Sequence, residues 1–247
     1  MQDNSSKWIF AGKRKENCRH RIFCLPYAGS GASLYSVWDS FFGDDIEICP
    51  VQLPGRENRR REPLCSDIQE TAGSIAEVIA GMADVPFSVF GYSMGGVIAY
   101  ETVLKLKAEH NIVPQYLFMG ASSVFSDRTE KISELDDEVL ISYLRSIGNS
   151  SEDVFGDEQY RTAFLPVIRN DYRLIENAHF SFTRVECPIV SFASKEDKAM
   201  PYRNIRLLKY MTDNWTVYDM TGDHFFIHRQ LGYITDVIKA TISSGGK

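Results

Sequence analysis

Apolar and polar positions fall along this chain in blocks that alternate between strand and helix length. Six short runs are dense in aromatic and β-branched side chains: Arg21 to Leu25, Ile46 to Val51, Phe87 to Phe90, Tyr116 to Ala121, Ile189 to Ala193 and Trp215 to Met220. Several are apolar at consecutive positions, the pattern of strands covered on both faces in a parallel sheet. Between them lie amphipathic stretches of helical length at Ile68 to Met82, Met94 to His110, Pro201 to Asp213 and Phe225 to Thr241. Strand and helix in alternation predict an α/β architecture, a mostly parallel central sheet with helices on both faces. One interval breaks the rhythm. Ser122 to Arg184 is far longer than a crossover helix needs, and it holds two helical patterns, Leu135 to Ile147 and Gln159 to Asn177, joined by the polar stretch Gly148 to Gly156. The expected organisation is therefore a core made of residues 1–121 and 185–247, with residues 122–184 inserted as a helical lid over the strand ends.

Length and composition agree with one such unit. The 247 residues allow one large domain or two small ones, and 44% hydrophobic with 24% charged residues excludes a long disordered chain, a collagen or a coiled-coil rod. The net charge of −6 argues against nucleic acid or an anionic membrane as the main partner. Five cysteines, Cys18, Cys24, Cys49, Cys65 and Cys187, are scattered without a C-x-x-C pair, so neither zinc nor thioredoxin-like chemistry is expected, and free thiols in a reducing compartment are. Met1 to His20 has only the short apolar run Trp8-Ile9-Phe10, and no stretch approaches the ~18 apolar residues of a membrane span, so a soluble, cytoplasmic protein is expected. The tail from Ser243 to Gly246 is expected to fray.

Chemistry concentrates in Gly91-Tyr92-Ser93-Met94-Gly95-Gly96, a G-x-S-x-G between a predicted strand and a predicted helix. Ser93 then sits on a sharp turn where a Cβ at Gly91 or Gly95 would crowd the bend, and the helix N-terminus points amide donors at an incoming oxyanion. A serine hydroxyl needs a base, and an acid to orient that base, in the chain order Ser, acid, His. Of five histidines, His20 precedes the first strand and His110 ends a helix, where both are expected to be solvated. His179 lies in the insertion and His228 one turn into the last helix, whereas His224 follows the last strand in the loop Thr221-Gly222-Asp223-His224, the place for the base. The His224/His228 spacing lacks the adjacent Glu and third ligand of a metal site, so no metal is expected. For the acid, the loop after the fifth strand offers Glu196 and Asp197; the shorter side chain favours Asp197, while spacing leaves Glu196 open, and Asp223 is too close to His224 to reach its ring well. The oxyanion donors are the amide of Met94 and one from Tyr27-Ala28-Gly29 after the first strand, with Ala28 favoured over its two neighbours.

These residues resemble a known family, the type II thioesterases of nonribosomal peptide and polyketide synthesis, which are α/β-hydrolases. The resemblance spans nearly the whole chain. It rests on Leu25-Pro26-Tyr27-Ala28-Gly29, Leu53-Pro54-Gly55-Arg56-Glu57, Gly91-Tyr92-Ser93-Met94-Gly95-Gly96, Leu165-Pro166-Val167-Ile168-Arg169-Asn170-Asp171-Tyr172 and Gly222-Asp223-His224-Phe225-Phe226. It implies a helical lid, a triad of Ser93, Asp197 and His224, and so selects Asp197 over Glu196. It further implies a monomer without a cofactor of its own, which hydrolyses aberrant or stalled acyl groups from the phosphopantetheine arm of acyl or peptidyl carrier proteins. The chain departs from the family at Tyr92, where His is frequent, at Ser30, where a second Gly is common, and at Gly148-Asn149-Ser150-Ser151, which lacks a Gly-Gly-x-Pro.

One cluster bears on the partner. Arg56, Arg59, Arg60 and Arg61 crowd together in an acidic chain and are candidates to meet an acidic carrier surface or the phosphate of the arm. For Arg59 to Arg61 a solvated basic loop is an equal reading; for Arg56, pinning its own loop competes evenly with ligand contact. Two other functions use the same residues. A carboxylesterase or lipase shares the triad, and a non-catalytic carrier-binding module shares the scaffold.

Overall fold

The computed structural model describes residues 5–10, 15–127, 129–148, 155–180 and 182–245. Six strands form one sheet: β1 (His20–Leu25), β2 (Ile46–Pro50), β3 (Phe87–Tyr92), β4 (Leu117–Gly120), β5 (Ile189–Ser194) and β6 (Trp215–Met220). Their order is β2-β1-β3-β4-β5-β6, and every pairing is parallel. The first five are buried throughout, whereas β6 at the edge is half-exposed.

The two-residue period of a strand explains the double cover. Phe23, Leu25, Val89, Leu117 and Met119 point to one face and pack on α1 (Ile68–Ala80) and α2 (Met94–His110). Ile22, Cys24, Phe90, Tyr92 and Phe118 point to the other, against Tyr35, Trp38 and α5 (Leu231–Ser244). Helix α1 starts where the Asp67 side chain accepts the Glu70 amide at 2.9 Å, and α2 ends at Asn111, which takes the left-handed conformation (φ 54°).

Between β4 and β5 lie α3 (Asp137–Ser146) and α4 (Glu158–Glu176), with a separate apolar cluster that includes Leu140, Leu144, Leu165 and Ile168. Asn149, Ser150 and Ser151 of the joint between them lie outside the described residues, as does Gly246 of the tail.

Three expectations need correction. Pro201 to Asp213 is one helical turn, Tyr202–Ile205, continuing as a 3-10 helix, Arg206–Tyr210. Its buried positions Ile205, Leu208 and Met211 recur every three residues, the spacing that a 3-10 helix aligns. The C-terminal pattern breaks at Gln230 into Phe226–Arg229 and α5, which itself carries Ser243 and Ser244 in helix. His20 is not solvated: it is buried in β1 and shares a 2.9 Å hydrogen bond with Ser88 Oγ, and burial pushes its imidazole down to about 4. No helix among the described residues is long and apolar enough to cross a membrane.

Candidate active site

Ser93 stands between β3 and α2 with φ 51° and ψ −118°, a strained conformation for a residue with a side chain. The neighbouring glycines make the bend possible. A Cβ at Gly91 would run into the backbone of Gly95 and Gly96, and one at Gly95 would run into the carbonyls of Leu25 and Pro26. The second contact also draws the loop after β1 against the N-terminus of α2. Ser93 is further fixed by its amide on Gly120 O (2.8 Å) and by Ser122 Oγ, which donates to its carbonyl (2.7 Å).

The loops after β5 and β6 bring the other groups to the same strand ends. His224 Nε2 lies 2.9 Å from Ser93 Oγ, and His224 Nδ1 lies 2.8 Å from Asp197 Oδ2. Nδ1 donates to the carboxylate, which leaves Nε2 of the neutral ring to accept the serine hydroxyl. The other carboxylate oxygen of Asp197 takes the amides of Ala199 (2.8 Å) and Met200 (3.0 Å), so a turn of its own loop aims the side chain. His224 is held at its backbone from two sides: its carbonyl accepts Tyr92 Oη at 2.7 Å, and its amide donates to Ile147 O at 3.2 Å. His224 and Asp197 are both buried.

The competing groups are engaged elsewhere. Glu196 is exposed. Asp223 accepts the Phe225 amide at 2.9 Å and pairs with Arg229 at 3.3 Å. His228 Nε2 meets Tyr27 Oη at 3.2 Å. His110 lies 3.4 Å from Glu77, and His179 lines a separate groove beside α2. Among the described residues no group of three or more His, Cys, Asp or Glu is arranged to hold a metal ion.

Met94 is the first residue of α2, so its amide is one of the first-turn donors that a helix leaves without an internal partner. In the loop after β1 the Gly29 amide donates to Asp171 Oδ2 at 2.8 Å and the Ser30 amide to Tyr27 O at 3.0 Å. Gly29 is thereby removed from the candidate oxyanion donors, which leaves Ala28 and its neighbour Tyr27.

Arg56 does not face a ligand. Its guanidinium is 5% exposed and pairs with the fully buried carboxylate of Asp171 through Nη1–Oδ2 (2.6 Å) and Nη2–Oδ1 (2.8 Å). This corrects the expectation of a carrier or phosphopantetheine contact, because the donors of a buried, doubly bonded guanidinium are already satisfied. Arg59 is buried too, over the Trp8 ring and bonded to Gln52 O at 2.8 Å, so only Arg60 and Arg61 of the basic cluster are exposed.

A cavity of about 400 Å³ opens onto Ser93, Met94 and His224. Its wall combines Val97 of α2 with Tyr143, Tyr172, Ile175, Phe180 and Phe182 from the segment between β4 and β5, and Glu130 and Lys131 stand on its polar side. An activated hydroxyl, a base within reach of it and an acid that orients the base are the groups that acyl transfer requires, and the cavity beside them has a mixed apolar and polar lining.

Sequence reasoning missed the roles of Tyr92, Ser122 and Asp171. Tyr92 gives no sign of its bond to the His224 backbone, because an inward strand residue beside a serine reads as core. Ser122 stands in a loop with no motif. Arg56 and Asp171 both lie in family-specific stretches and carry opposite charges, yet only the folded topology brings them together.

A family model described as a thioesterase domain matches residues 20–242. Gramicidin S biosynthesis protein GrsT of Aneurinibacillus migulanus is 32% identical over 227 residues, which cover 90% of this chain and 89% of that protein. Among solved structures, the type II thioesterase BorB from the borrelidin biosynthetic cluster matches with TM-score 0.86 at 28% identity, over 96% of this chain and 98% of that one. ClbQ from the colibactin NRPS/PKS pathway matches with TM-score 0.83 at 26% identity, over 92% of this chain and 98% of that one. The parallel sheet with helices on both faces is thus the α/β-hydrolase fold of these neighbours.

Proposed function

The chain belongs to the thioesterase family and is a thioester hydrolase, and on that premise we propose that it is a type II thioesterase that clears aberrant or stalled acyl groups from the phosphopantetheine arms of carrier proteins in nonribosomal peptide or polyketide synthesis. The observation that carries this reading is the hydrogen-bonded chain from Ser93 Oγ through His224 to Asp197, with Ser93 and His224 lining a cavity.

In this reading His224 Nε2 takes the Ser93 proton as Oγ attacks the thioester carbonyl. Asp197 holds the ring in the required tautomer and stabilises the imidazolium that forms. The oxyanion of the tetrahedral intermediate is received by the amides of Met94 and Ala28. Collapse expels the pantetheine thiolate, which takes a proton from His224, and leaves an acyl ester on Ser93. Water, deprotonated by the same imidazole, attacks that ester, and the second collapse returns the proton to Oγ and frees the acid. The route calls for no cofactor beyond the arm that the substrate carries. We assign the segment of residues 122–184 as a lid over this site, and the active form as a cytoplasmic monomer.

The deciding experiment compares release of an acyl group from a carrier-bound phosphopantetheine thioester with release from the matched oxygen ester. Thioester hydrolysis is expected to dominate in kcat/KM. Preference for the oxygen ester would make the chain a carboxylesterase, and binding without turnover of either would make it a carrier-binding module.

A further inference from the structure

We infer that Asp171 is a positioning residue for the reaction: clamped by Arg56, it holds the loop after β1 so that the Ala28 amide faces the oxyanion. The inference rests on the proposed role of Ala28.

Asp171 lies on α4 and is 0% exposed. Its Oδ2 accepts two hydrogen bonds, from Arg56 Nη1 at 2.6 Å and from the Gly29 amide at 2.8 Å, while Oδ1 accepts Arg56 Nη2 at 2.8 Å. Arg56 in turn donates from Nη1 to Ser30 O at 3.1 Å. The two buried charges therefore grip the same loop, one at the amide of residue 29 and the other at the carbonyl of residue 30. Helix α4 reinforces the grip: a side chain at Gly29 would strike Ile168, which lies one turn from Asp171 on the same face.

A buried ion pair is weak evidence for stability, since apolar residues of similar volume often serve the fold equally well. What an apolar pair cannot do is bond the Gly29 amide and the Ser30 carbonyl. That need is acute at Gly29, whose φ of +81° and missing side chain leave the loop free to visit other conformations unless something fixes the peptide plane between Ala28 and Gly29. The Ala28 amide sits one peptide unit earlier. An oxyanion donor acts through placement, so releasing the loop costs rate rather than substrate binding.

The test separates fold from rate with two variants: Arg56→Met/Asp171→Leu, which replaces the pair by apolar side chains, and Asp171→Asn, which keeps an oxygen for the Gly29 amide but leaves Arg56 buried without its counter-charge. Thermal unfolding, kcat and KM on an acyl-carrier thioester, and the pH profile of kcat/KM are read for each. The double variant is expected to stay folded with Tm lowered by several degrees, since the Gly29 amide and the Ser30 carbonyl lose their partners, and to lose kcat by about 30-fold or more, with KM within about 3-fold and the pH profile unmoved, because His224 and Asp197 are untouched. Asp171→Asn is expected to lose more Tm than the double variant, because Arg56 stays buried without its counter-charge, and less kcat, because the retained oxygen still accepts the Gly29 amide, both read at a temperature where it is folded. Wild-type kcat in a folded double variant would overturn the inference. Should the double variant not fold, Asp171→Ala decides at a temperature where it is folded: it removes the acceptor of the Gly29 amide, and wild-type kcat then overturns the inference. Phosphonate labelling of wild type at Ser93 is run alongside: absence of labelling condemns the catalytic reading itself, whereas labelling with an unaffected double variant condemns only the role of Asp171.

Discussion

Tyr92 donates its phenolic hydrogen to the backbone carbonyl of His224 across 2.7 Å, so the residue before the proposed nucleophile holds the backbone of the proposed base. The Tyr92 ring is fully buried between β3 and the loop after β6, edge-on to Phe226, and a side chain on Gly120 would collide with it. The Tyr92 hydrogen bond thus ties the strained turn at Ser93 directly to the His224 loop.

Tyr92→Phe keeps the ring and leaves the His224 carbonyl without that donor. It is expected to cost about 1–3 kcal/mol in urea unfolding, the range for an orphaned buried acceptor, and to lower kcat several-fold as the imidazole loses its backbone support. Unchanged stability and unchanged kcat together would refute the coupling.

Asp197→Asn leaves the shape of the site intact but offers a donor where His224 Nδ1 also donates, which favours the wrong tautomer. A fall in kcat of about 10³- to 10⁴-fold is expected at pH 7. Glu196→Gln, at an exposed position, is expected to stay within about 2-fold of wild type. Steady-state kinetics on the two variants distinguish the acids, and the reverse ranking would move the role to Glu196.

The His20 imidazole is neutral in the fold down to about pH 4, whereas in the unfolded chain it titrates near 6.5. Between those values the unfolded state binds a proton that the folded state does not, so stability falls as pH drops from about 6.5 to 4 and is complete above that window. The full difference is about 3 kcal/mol. Unfolding free energies measured from pH 7 to pH 4 are expected to show it in wild type and to lack this component in His20→Asn.

How far the sequence reached can be followed residue by residue. The six strands were legible as short runs rich in aromatic and β-branched residues, the first five because they are buried throughout and β6 although it is half-exposed at the sheet edge. Ser93 and His224 were legible because a glycine-flanked serine and a loop histidine at a strand end are local patterns. Choosing between Glu196 and Asp197 was not possible from spacing alone: what singles out Asp197 is a short side chain that caps the amides of Ala199 and Met200 while reaching His224. His20 was misread because a polar residue reads as exposed until its partner is known, and its partner Ser88 lies 68 positions away. For Arg56 the sequence left loop pinning and ligand contact equal, and what favours pinning is Asp171, 115 positions away. The breaks in the last two helical patterns were hidden because a spacing of three or four fits a 3-10 turn and an α-helix about equally over so few residues.

The most direct measurement follows the acyl group itself. Wild type and Ser93→Ala, shown to share one fold by circular dichroism, are mixed with a carrier protein bearing an acyl-phosphopantetheine thioester, quenched in acid and examined by intact-protein and peptide mass spectrometry. Wild type is expected to release free acid and to show the acyl mass on the peptide that contains Ser93, while Ser93→Ala shows neither acylation nor release above the uncatalysed rate. Release by Ser93→Ala at a rate near wild type, or acylation of wild type at any other residue, would contradict the assignment of Ser93 as the nucleophile of a thioesterase.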